Sequence, residues 1–247
     1  MMVDPFHFLL LKKISMLKPL SLRLHHIVKH VSALFAEASE QQWIHVWDCC
    51  CDHGLLGQHI LKQQASSFVH FVDKNPGIMQ TLSAYMQNDY QAFASRFALH
   101  QLDAHQLDLS AYKHQEHIVI LAGVGGRSII DIIASMRIEN TNTRFVLCPQ
   151  YHCYELRQYL MRSEFSLLQE SYVYDRKQHY EIISVTPSKN QLSHPLTLTG
   201  DFWQPHHKAQ QSYLSKLLSH YQHSHSEHPH DAYANYLKLA NELQSQH

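Results

Sequence analysis

The sequence lacks the long apolar runs, the basic surplus and the paired cysteines that mark several protein classes. No apolar run reaches the roughly 20 residues that span a bilayer, and in FHFLLLKK the lysines follow the apolar residues, unlike a signal peptide. Lys plus Arg number 20 against 21 for Asp plus Glu, so bulk charge gives no signature of nucleic-acid binding. Of five cysteines three are consecutive, which argues against disulfides and favours a reducing cytoplasm.

What the chain does have is the composition of a globular protein. Hydrophobic residues make up 45% and charged residues 17%, which fits a packed core and argues against disorder. The 23 histidines are unusual, because they can add positive charge below neutral pH. Organised sequence begins just after Met16, so this methionine is a candidate for the true start.

From residue 20 the pattern predicts an α/β domain. The stretch LSLRLHHIVKHVSALF, residues 20–35, has the apolar spacing of an amphipathic helix. The predicted strands cover 44–48, 68–73, 97–103, 117–123 and 144–149, and the predicted helices cover 55–64, 76–88, 126–137 and 152–162. Short apolar strands that alternate with such helices indicate a parallel sheet covered on both faces.

The last third of the chain has another pattern. Residues 166–187 predict an antiparallel hairpin that turns at 175–178, and residues 187–205, with three prolines and Gly200, predict a linker. Two amphipathic helices follow, separated by a predicted histidine-rich turn at 223–230. We predict three parts: an N-terminal extension (1–19), an α/β domain (20–187), and a linker with a helical extension (188–247).

Polar residues collect at the predicted carboxyl ends of the strands, where open parallel sheets bind ligands. Asp48, Asp73, Asp103 and Gly123 all lie at or just past such an end. Asp73 is placed to accept hydrogen bonds from a ribose, and Asp103 to hold an adenine amino group. Each aspartate could also be only a helix cap, so their convergence says more than any one of them.

The glycines favour one cofactor over another. A nicotinamide fingerprint needs G-x-G-x-x-G directly after the first strand, but the first turn here, DCCCDHGLLG, has glycine only at 54 and 57. The cluster AGVGG, residues 122–126, follows the fourth strand instead. S-adenosylmethionine has no phosphate and tolerates the first turn, and in such folds its methyl group meets the acceptor after the fourth strand. The pattern therefore favours S-adenosylmethionine.

With these motifs the sequence resembles the bacterial tRNA (adenine-22-N1)-methyltransferases. The resemblance rests on LSLRL (20–24), D-x-x-x-D-H-G (48–54), VDKNPG (72–77), LAGVGG (121–126), LCPQ (147–150) and HYEIISV (179–185). It implies a Rossmann-like class I methyltransferase fold, whose mainly parallel sheet ends in an antiparallel hairpin, and a C-terminal helical, coiled-coil-like extension. It also implies methyl transfer to adenine N1 of tRNA, at position 22 in the D-arm region, by in-line displacement without a metal.

The resemblance also implies site residues. The cofactor-binding residues would be Asp48, Cys50, His53, Gly54, Asp73, Asp103, Ala104, Ala122 and Gly123. Asp52, Gly123 and Gly125 would form the reacting centre, with Asp52 or a backbone carbonyl of 122–126 accepting the adenine N6 amino group.

The sequence departs from the family at three positions. Cys50 stands where the family has glycine, Cys148 where it has glutamine, and Gln150 where it has asparagine. A Cβ at 50 crowds the backbone approach unless that residue keeps an ordinary dihedral angle.

Alternatives remain open at this level. The same fold could methylate a small molecule or a protein, or could be a non-catalytic module that has lost cofactor affinity. The tRNA partner rests on the resemblance, with Lys12, Lys13, Lys18, Arg23 and Lys29 adding a more basic N-terminal segment. No membrane partner is expected.

A metal site at Cys49, Cys51, Asp52 and His53 is also disfavoured. The second cysteine pair, Cys148 and Cys153, spans a predicted strand end and helix start, unlike the paired spacing of a structural zinc site.

Overall fold

One mixed sheet organises the chain. A computed structural model describes residues 18–37, 43–136, 142–187, 193–223 and 229–245. The strands are β1 (Ile44–Cys49), β2 (Ser67–Asp73), β3 (Phe97–Gln101), β4 (Glu116–Ala122), β5 (Thr143–Cys148), β6 (Ser166–Asp175) and β7 (Gln178–Thr186). Their order is β3-β2-β1-β4-β5-β7-β6, parallel from β3 to β5 and antiparallel from β5 through β7 to β6. The predicted parallel sheet with a terminal antiparallel hairpin is confirmed.

Helices connect the strands and extend beyond them. They are α1 (Leu22–Ala36), α2 (Leu55–Gln63), α3 (Pro76–Asp89), α4 (Gly126–Ser135), α5 (Cys153–Arg162), α6 (Lys208–Gln222) and α7 (Pro229–Ser245). Within the described ranges, none of these helices has the length and apolar content to cross a membrane.

Several predicted boundaries were wrong by one or two residues, among them the end of the third strand and the start of the last helix. The third strand ends at Gln101 rather than at 103, because the Asp103 carboxylate accepts the His105 N–H at 3.1 Å and caps a short 3-10 turn. The histidine-rich turn ends earlier than predicted, since α7 already begins at Pro229, while residues 224–228 lie outside the described part of the chain. The candidate start Met16 and most of the predicted N-terminal extension also lie outside it.

The alternation of side chains in β1 explains why helices cover both faces of the sheet. Ile44 and Val46 belong to the core that packs against α1, α2 and α3. Trp47 and Cys49 belong to the core on the other face, under α4 and α5. Because successive strand residues point to opposite faces, a strand that is buried along its whole length needs cover on both sides.

Part of the second face consists of histidines in place of aliphatic residues. The ring nitrogens of His45 and His70 lie 2.8 Å apart, and those of His70 and His100 lie 2.9 Å apart. The indole of Trp47 stacks on His70 at 3.6 Å and donates to His117 at 3.1 Å. Burial, and then the neighbouring imidazoles, lower the pKa of His45 to about 4 and that of His70 to about 2. This histidine ladder is therefore neutral at pH 7.

The C-terminal helices are fastened to the α/β domain by a buried ion network. Arg157 of α5 is fully buried and donates to Glu181 at 2.8 Å and to Glu170. The Tyr213 hydroxyl of α6 donates to Glu181 at 2.9 Å, and the Asp201 N–H donates to Glu170 at 2.6 Å. We call these five residues the ionic clamp, because they join α5, the hairpin and the extension.

Candidate functional site

A cleft opens where the sheet reverses its order. From β1 the chain runs to β2 and β3 on one side, and β4 and β5 lie on the other. The carboxyl ends of β1 and β4 therefore splay their loops apart, which is the usual place for a ligand in an open α/β sheet. The cleft has a volume of about 620 Å³. Its lining includes Lys18, Arg23, Leu24, Asp48, Cys50, Cys51, Asp52, His53, Leu56, Gln58, Leu82, Tyr85, Ala122, Gly123 and Gln150.

The loop after β1 forms one wall of the cleft and has a strained backbone. Cys50, Asp52 and Gly54 have φ angles of 58°, 51° and 65°. For the two non-glycine residues this left-handed region costs roughly 1–2 kcal/mol each. Cys50 thus does not keep an ordinary dihedral angle, although it carries a Cβ where the similar family has glycine. The loop is held by the Cys51 N–H, which donates to the Val72 carbonyl at 3.1 Å.

Asp73 fixes the tip of the same loop. One carboxylate oxygen accepts the Asp52 N–H at 3.2 Å, and the other accepts the Asn75 N–H at 2.9 Å. The carboxylate therefore ties the end of β2 to the loop after β1 and to the start of α3. It keeps lone pairs for a further donor, as a carboxylate can accept about four hydrogen bonds.

Asp48 forms the floor of the cleft. Its side chain is buried, and one oxygen accepts the Gly57 N–H at 2.9 Å. Burial raises the pKa of Asp48 to about 7, the nearby Asp73 adds to this, and the Gly57 hydrogen bond acts in the opposite direction. Near neutral pH this carboxyl group can hold or release a proton inside the cleft.

The glycine turn after β4 forms the opposite wall. Gly123 has a φ of 84°, and a Cβ there would meet only an Arg23 nitrogen, at 4.0 Å, so the turn leaves open space. The turn is fixed to the segment after β5, since Val124 O accepts the Gln150 N–H at 2.9 Å. At Gly125 a Cβ would come within 2.5 Å of the Tyr151 ring. This glycine therefore provides room for Tyr151, which is 59% exposed.

Arg23 is a cleft residue that the sequence indicated only as part of a basic N-terminal segment. It lies in the first turn of α1, its guanidinium is 5.0 Å from the centre of the Tyr180 ring, and its backbone N–H donates to Asp175 at 3.2 Å. Its Nη1 is buried and has no hydrogen-bond partner. The motif LSLRL contains this arginine, but only the packing of α1 against the sheet brings it into the cleft.

The structure brings some of the predicted residues together and leaves others aside. Asp48, Cys50, Asp52, His53, Ala122 and Gly123 all line the cleft. Gly54, Asp73, Asp103, Ala104 and Gly125 do not line it. Asp103 accepts from the His105 ring at 2.5 Å and lies 3.5 Å from Lys74. The hydrogen bonds from His105 lower the pKa of Asp103, so this carboxylate is ionised beside the cleft rather than in it.

The five cysteines are free thiols, and four of them are buried. Burial, then the surrounding carboxylates, raise the pKa of Cys50 to about 11. Burial raises that of Cys148 to about 12 against an opposing interaction with Arg23. Neutral thiols of this kind are poor nucleophiles and poor metal ligands. Among the described residues, no three His, Cys, Asp or Glu side chains form a group that could hold a metal ion.

Comparisons with known proteins identify similar methyltransferases. A family model described as a methyltransferase domain matches residues 20–183. A candidate tRNA methyltransferase of Mycoplasma genitalium is 29% identical over 159 residues, which are 63% of this chain and 66% of that protein. The chain thus spans just under two thirds of this relative's length.

Two solved structures share the fold over nearly the whole chain. One is M. capricolum TrmK in complex with the cofactor product S-adenosylhomocysteine, with a TM-score of 0.64 and 15% identity. It covers 92% of this chain and 97% of its own. The other is the B. subtilis m1A22 tRNA methyltransferase TrmK, with a TM-score of 0.60, 16% identity, and coverage of 93% and 99%. At such identities the likeness concerns the fold, including the C-terminal helices.

Proposed function

The chain belongs to the methyltransferase-domain family, and from that premise we propose that it transfers a methyl group from S-adenosylmethionine to N1 of an adenine in tRNA. Position 22, in the D-arm region, is the proposed site. The observation that carries this proposal is the cleft between the ends of β1 and β4, with a strained loop on one wall and an open glycine turn on the other. The acceptor is proposed from the named relatives, whose names refer to tRNA.

The residues present fit S-adenosylmethionine better than a dinucleotide. The buried Arg23 Nη1 lacks a partner, so a carboxylate in the cleft would satisfy it. A buried donor left unpaired costs about 1–3 kcal/mol, which a bound anion would recover. Asp73, at the end of β2, keeps capacity to accept from a ribose. The loop after β1 has no glycine-rich phosphate cradle of the kind a pyrophosphate needs.

The chemistry asks the protein for alignment more than for a strong base. The bound cofactor supplies an electrophilic methyl group, and adenine N1 carries a lone pair in the plane of its ring. Displacement then depends on holding donor and acceptor in line in a water-poor cleft. A hydrogen-bond acceptor at the N6 amino group would stabilise the positive charge that develops on the base.

Asp52 is the better candidate for that acceptor. Of the turn carbonyls, Val124 O already accepts from Gln150 and Gly125 O accepts from Ile129 at 3.1 Å. The Asp52 carboxylate lines the cleft, and its side chain is 69% exposed. Its backbone is fixed by Asp73, so the carboxylate can be presented to a base without a large ordering cost.

Tyr151 offers a surface for the acceptor base. Its ring lies against Gly125 and remains mostly exposed, next in sequence to Gln150 of the cleft. Aromatic rings bind unpaired bases by stacking, at about 1–3 kcal/mol per base. We place the target adenine between this ring and the cleft.

The test is methyl transfer from labelled S-adenosylmethionine to unmodified tRNA, followed by identification of the labelled nucleoside. We expect label at adenine N1 and its loss when adenine 22 is replaced by guanine. Label at another nucleoside would overturn the assigned position. A thermal shift with the cofactor but no labelled RNA would point to another acceptor, and the absence of both would indicate a module without cofactor affinity.

Asp52→Asn gives a sharper test of the reacting centre. We expect turnover to fall at least tenfold while cofactor affinity changes little, since a single acid–base or electrostatic partner contributes about 100-fold or more. Asp131→Asn, at an exposed position of α4 that does not line the cleft, is the matched control and should keep most of the turnover. Equal losses in both variants would contradict the role given to Asp52.

A further inference from the structure

The outer faces of α1 and α2 carry histidines and cations without acidic residues. Neither LRLHHIVKHVSALFA nor LLGQHILKQ contains an aspartate or a glutamate. Six side chains that are exposed or half-buried lie on these two helices and on the segment before them. We call them the α1–α2 face: Lys18, His25, His26, Lys29, His59 and Lys62.

These side chains form one surface rather than two. The His59 ring nitrogen lies 3.1 Å from the Lys18 carbonyl oxygen. Partial burial, then Lys62 and His25, lower the pKa of His59 against that hydrogen bond. Partial burial, then Lys29 and His25, lower the pKa of His26. His25 therefore interacts with groups on both helices, and the cations repel one another across the face.

The face continues into the cleft. Lys18 belongs both to the face and to the lining of the cleft, and Arg23 of the cleft lies on α1 just before His25. A polyanion bound on the face would thus lie beside the mouth of the cleft.

The acidic residues nearest to these cations lie at the edges of the face. Asp89 lies beside Lys62, whose ammonium is also 4.8 Å from the centre of the Tyr90 ring. Glu37 follows the last turn of α1, and Asp175 accepts the Arg23 N–H at 3.2 Å. On the inner side of α1, His30 is held between Ser184 and Ser171 at 2.8 Å each, and Arg144, which pairs with Glu116, donates to Leu34 O at 2.8 Å.

We propose that the α1–α2 face receives the sugar–phosphate backbone of the RNA acceptor, and that RNA binding there takes up protons on His26 and His59. This rests on the proposed function, which it supplements with a surface and a pH dependence. Partial burial, and then repulsion by the neighbouring lysines, lower the pKa of His26 and of His59, whereas an adjacent phosphate favours the charged form. By linkage, RNA then binds more tightly as the pH falls.

An anionic lipid surface would also attract these cations. RNA is the better match because the face adjoins a concave cleft that holds the proposed reacting centre, and a flat membrane could not place a group there. Vesicles that contain phosphatidylserine serve as the competing ligand in the test.

The experiment measures binding of fluorescent, unmodified tRNA to the full chain by anisotropy at pH 6.0, 7.0 and 8.0, across 50–300 mM KCl. We expect affinity to rise as the pH falls, by up to about tenfold per pH unit for each proton taken up. The slope of log K against log salt should also steepen towards pH 6.0, since more cations then displace counterions.

Variants separate the histidines from the fixed charges. The double variant His26→Gln, His59→Gln should lose most of the pH dependence while it keeps its binding at pH 8.0. Lys29→Gln should weaken binding at every pH and keep the pH dependence. His220→Gln with His223→Gln, two exposed histidines at the end of α6, is the matched control and should behave like the unaltered protein.

The outcomes distinguish this inference from the proposed function. A double variant that keeps the full pH dependence, or RNA binding that weakens towards pH 6.0, overturns the assignment of the face, whether or not the protein methylates tRNA. Tighter binding to the vesicles than to tRNA overturns the choice of partner. Binding as expected with no methyl transfer would leave the face standing and overturn the proposed reaction. Thermal melting of each variant at pH 6.0 confirms that the folded protein is measured.

Discussion

The loop after β1 and the ionic clamp are both built from polar residues, but they use them in opposite ways. In the clamp, the buried Arg157 meets Glu181, Glu170 and the Thr197 carbonyl, and burial, which alone would lower the pKa of Arg157, is outweighed by the two carboxylates. In the loop, Cys50 and Asp52 hold left-handed backbone, and Asp52 is mostly exposed.

Polar groups that hold the fold together thus differ from polar groups that are available to a ligand. The clamp satisfies its charges internally and has nothing left to offer a ligand. The loop has a strained backbone and the neighbouring Arg23 has an unpartnered donor, and a bound ligand could compensate for both. Residues held in unfavourable backbone regions tend to cluster at functional sites for this reason.

The largest expected effect comes from breaking the clamp. Arg157→Met leaves two buried carboxylates without their cation, and we expect the free energy of unfolding to fall by about 3–5 kcal/mol. Urea denaturation measures it. Arg162→Met, at the exposed end of the same helix, should change it by less than about 0.5 kcal/mol. If both variants lost the same stability, the clamp would not be the fastening point.

The next effect concerns the histidine ladder, a second internally satisfied cluster. Histidine in the unfolded chain has a pKa near 6.5, whereas burial holds His45 at about 4 and His70 at about 2. As the pH falls, the unfolded chain therefore takes up protons before the folded protein does. The stability that is present above pH 6.5 is lost in the process. At pH 5 the loss is about 2 kcal/mol for each of these two histidines.

The measurement is the unfolding free energy of the protein and of His70→Gln between pH 7.5 and 5. In His70→Gln the unfolding free energy should decline less steeply as the pH falls, and the difference in slope should correspond to about one proton. His114→Gln, at an exposed position, should keep the full slope. An unchanged slope in His70→Gln would contradict a neutral, buried ladder.

A smaller effect is expected at the floor of the cleft. Burial raises the folded pKa of Asp48 to about 7, above its unfolded value of 3.8, so stability is lost as the pH rises between these values. Asp48→Asn removes the charge and keeps an oxygen for the Gly57 N–H. We expect it to stabilise the protein at pH 8 by about 1–2 kcal/mol and not at pH 4.

Thermal melting at the two pH values tests Asp48→Asn, with the exposed Asp52→Asn as the control that should be neutral at both. A gain at pH 4 as large as at pH 8 would mean that Asp48 is not a buried titrating carboxyl.

The smallest effect should come from relieving strain at Cys50. Glycine removes a left-handed penalty of about 1–2 kcal/mol but adds about 0.5–1 kcal/mol of unfolded-state entropy. The difference is about 0–1.5 kcal/mol, so Cys50→Gly should stabilise the protein only slightly, and it should enlarge the thermal shift with S-adenosylhomocysteine.

Arg176→Gly provides the comparison for Cys50→Gly, because Arg176 has a φ of 50° in the β6–β7 turn, away from the cleft. It should give a similar gain in melting temperature without any change in the ligand-induced shift. A larger ligand effect in Arg176→Gly would break the link between the loop after β1 and the cofactor.

The sequence predicted the fold better than the site. Mostly apolar strands such as FVHFVD and HIVILAG favour a parallel sheet covered on both faces when helices of 9–15 residues alternate with them. The two-residue turn at Arg176 and Lys177 specified the hairpin. The misplaced end of β3 arose locally, since the side chain of Asp103 caps its own turn instead of continuing the strand.

The sequence indicated site residues only where they lie close together in the chain or at the end of a predicted strand. Asp48, Cys50, Asp52 and His53 lie in one loop, and Ala122 with Gly123 lies in another, so strand ends alone placed them at one edge. Arg23 and Tyr151 needed the packing of α1 and of the segment after β5.

The sequence by itself thus determined the order of strands and helices, the strand ends that carry polar residues, and the absence of a phosphate-binding glycine loop. Periodicity and turn chemistry act over a few residues, and they are visible in the chain. Only the tertiary structure decided which polar groups are satisfied. Arg157 and Arg23 are both arginines on helices, yet one has two carboxylates from the hairpin and the other has a buried nitrogen that faces a cleft. That distinction depends on contacts between residues far apart in sequence, because desolvation and pairing are properties of the packed molecule.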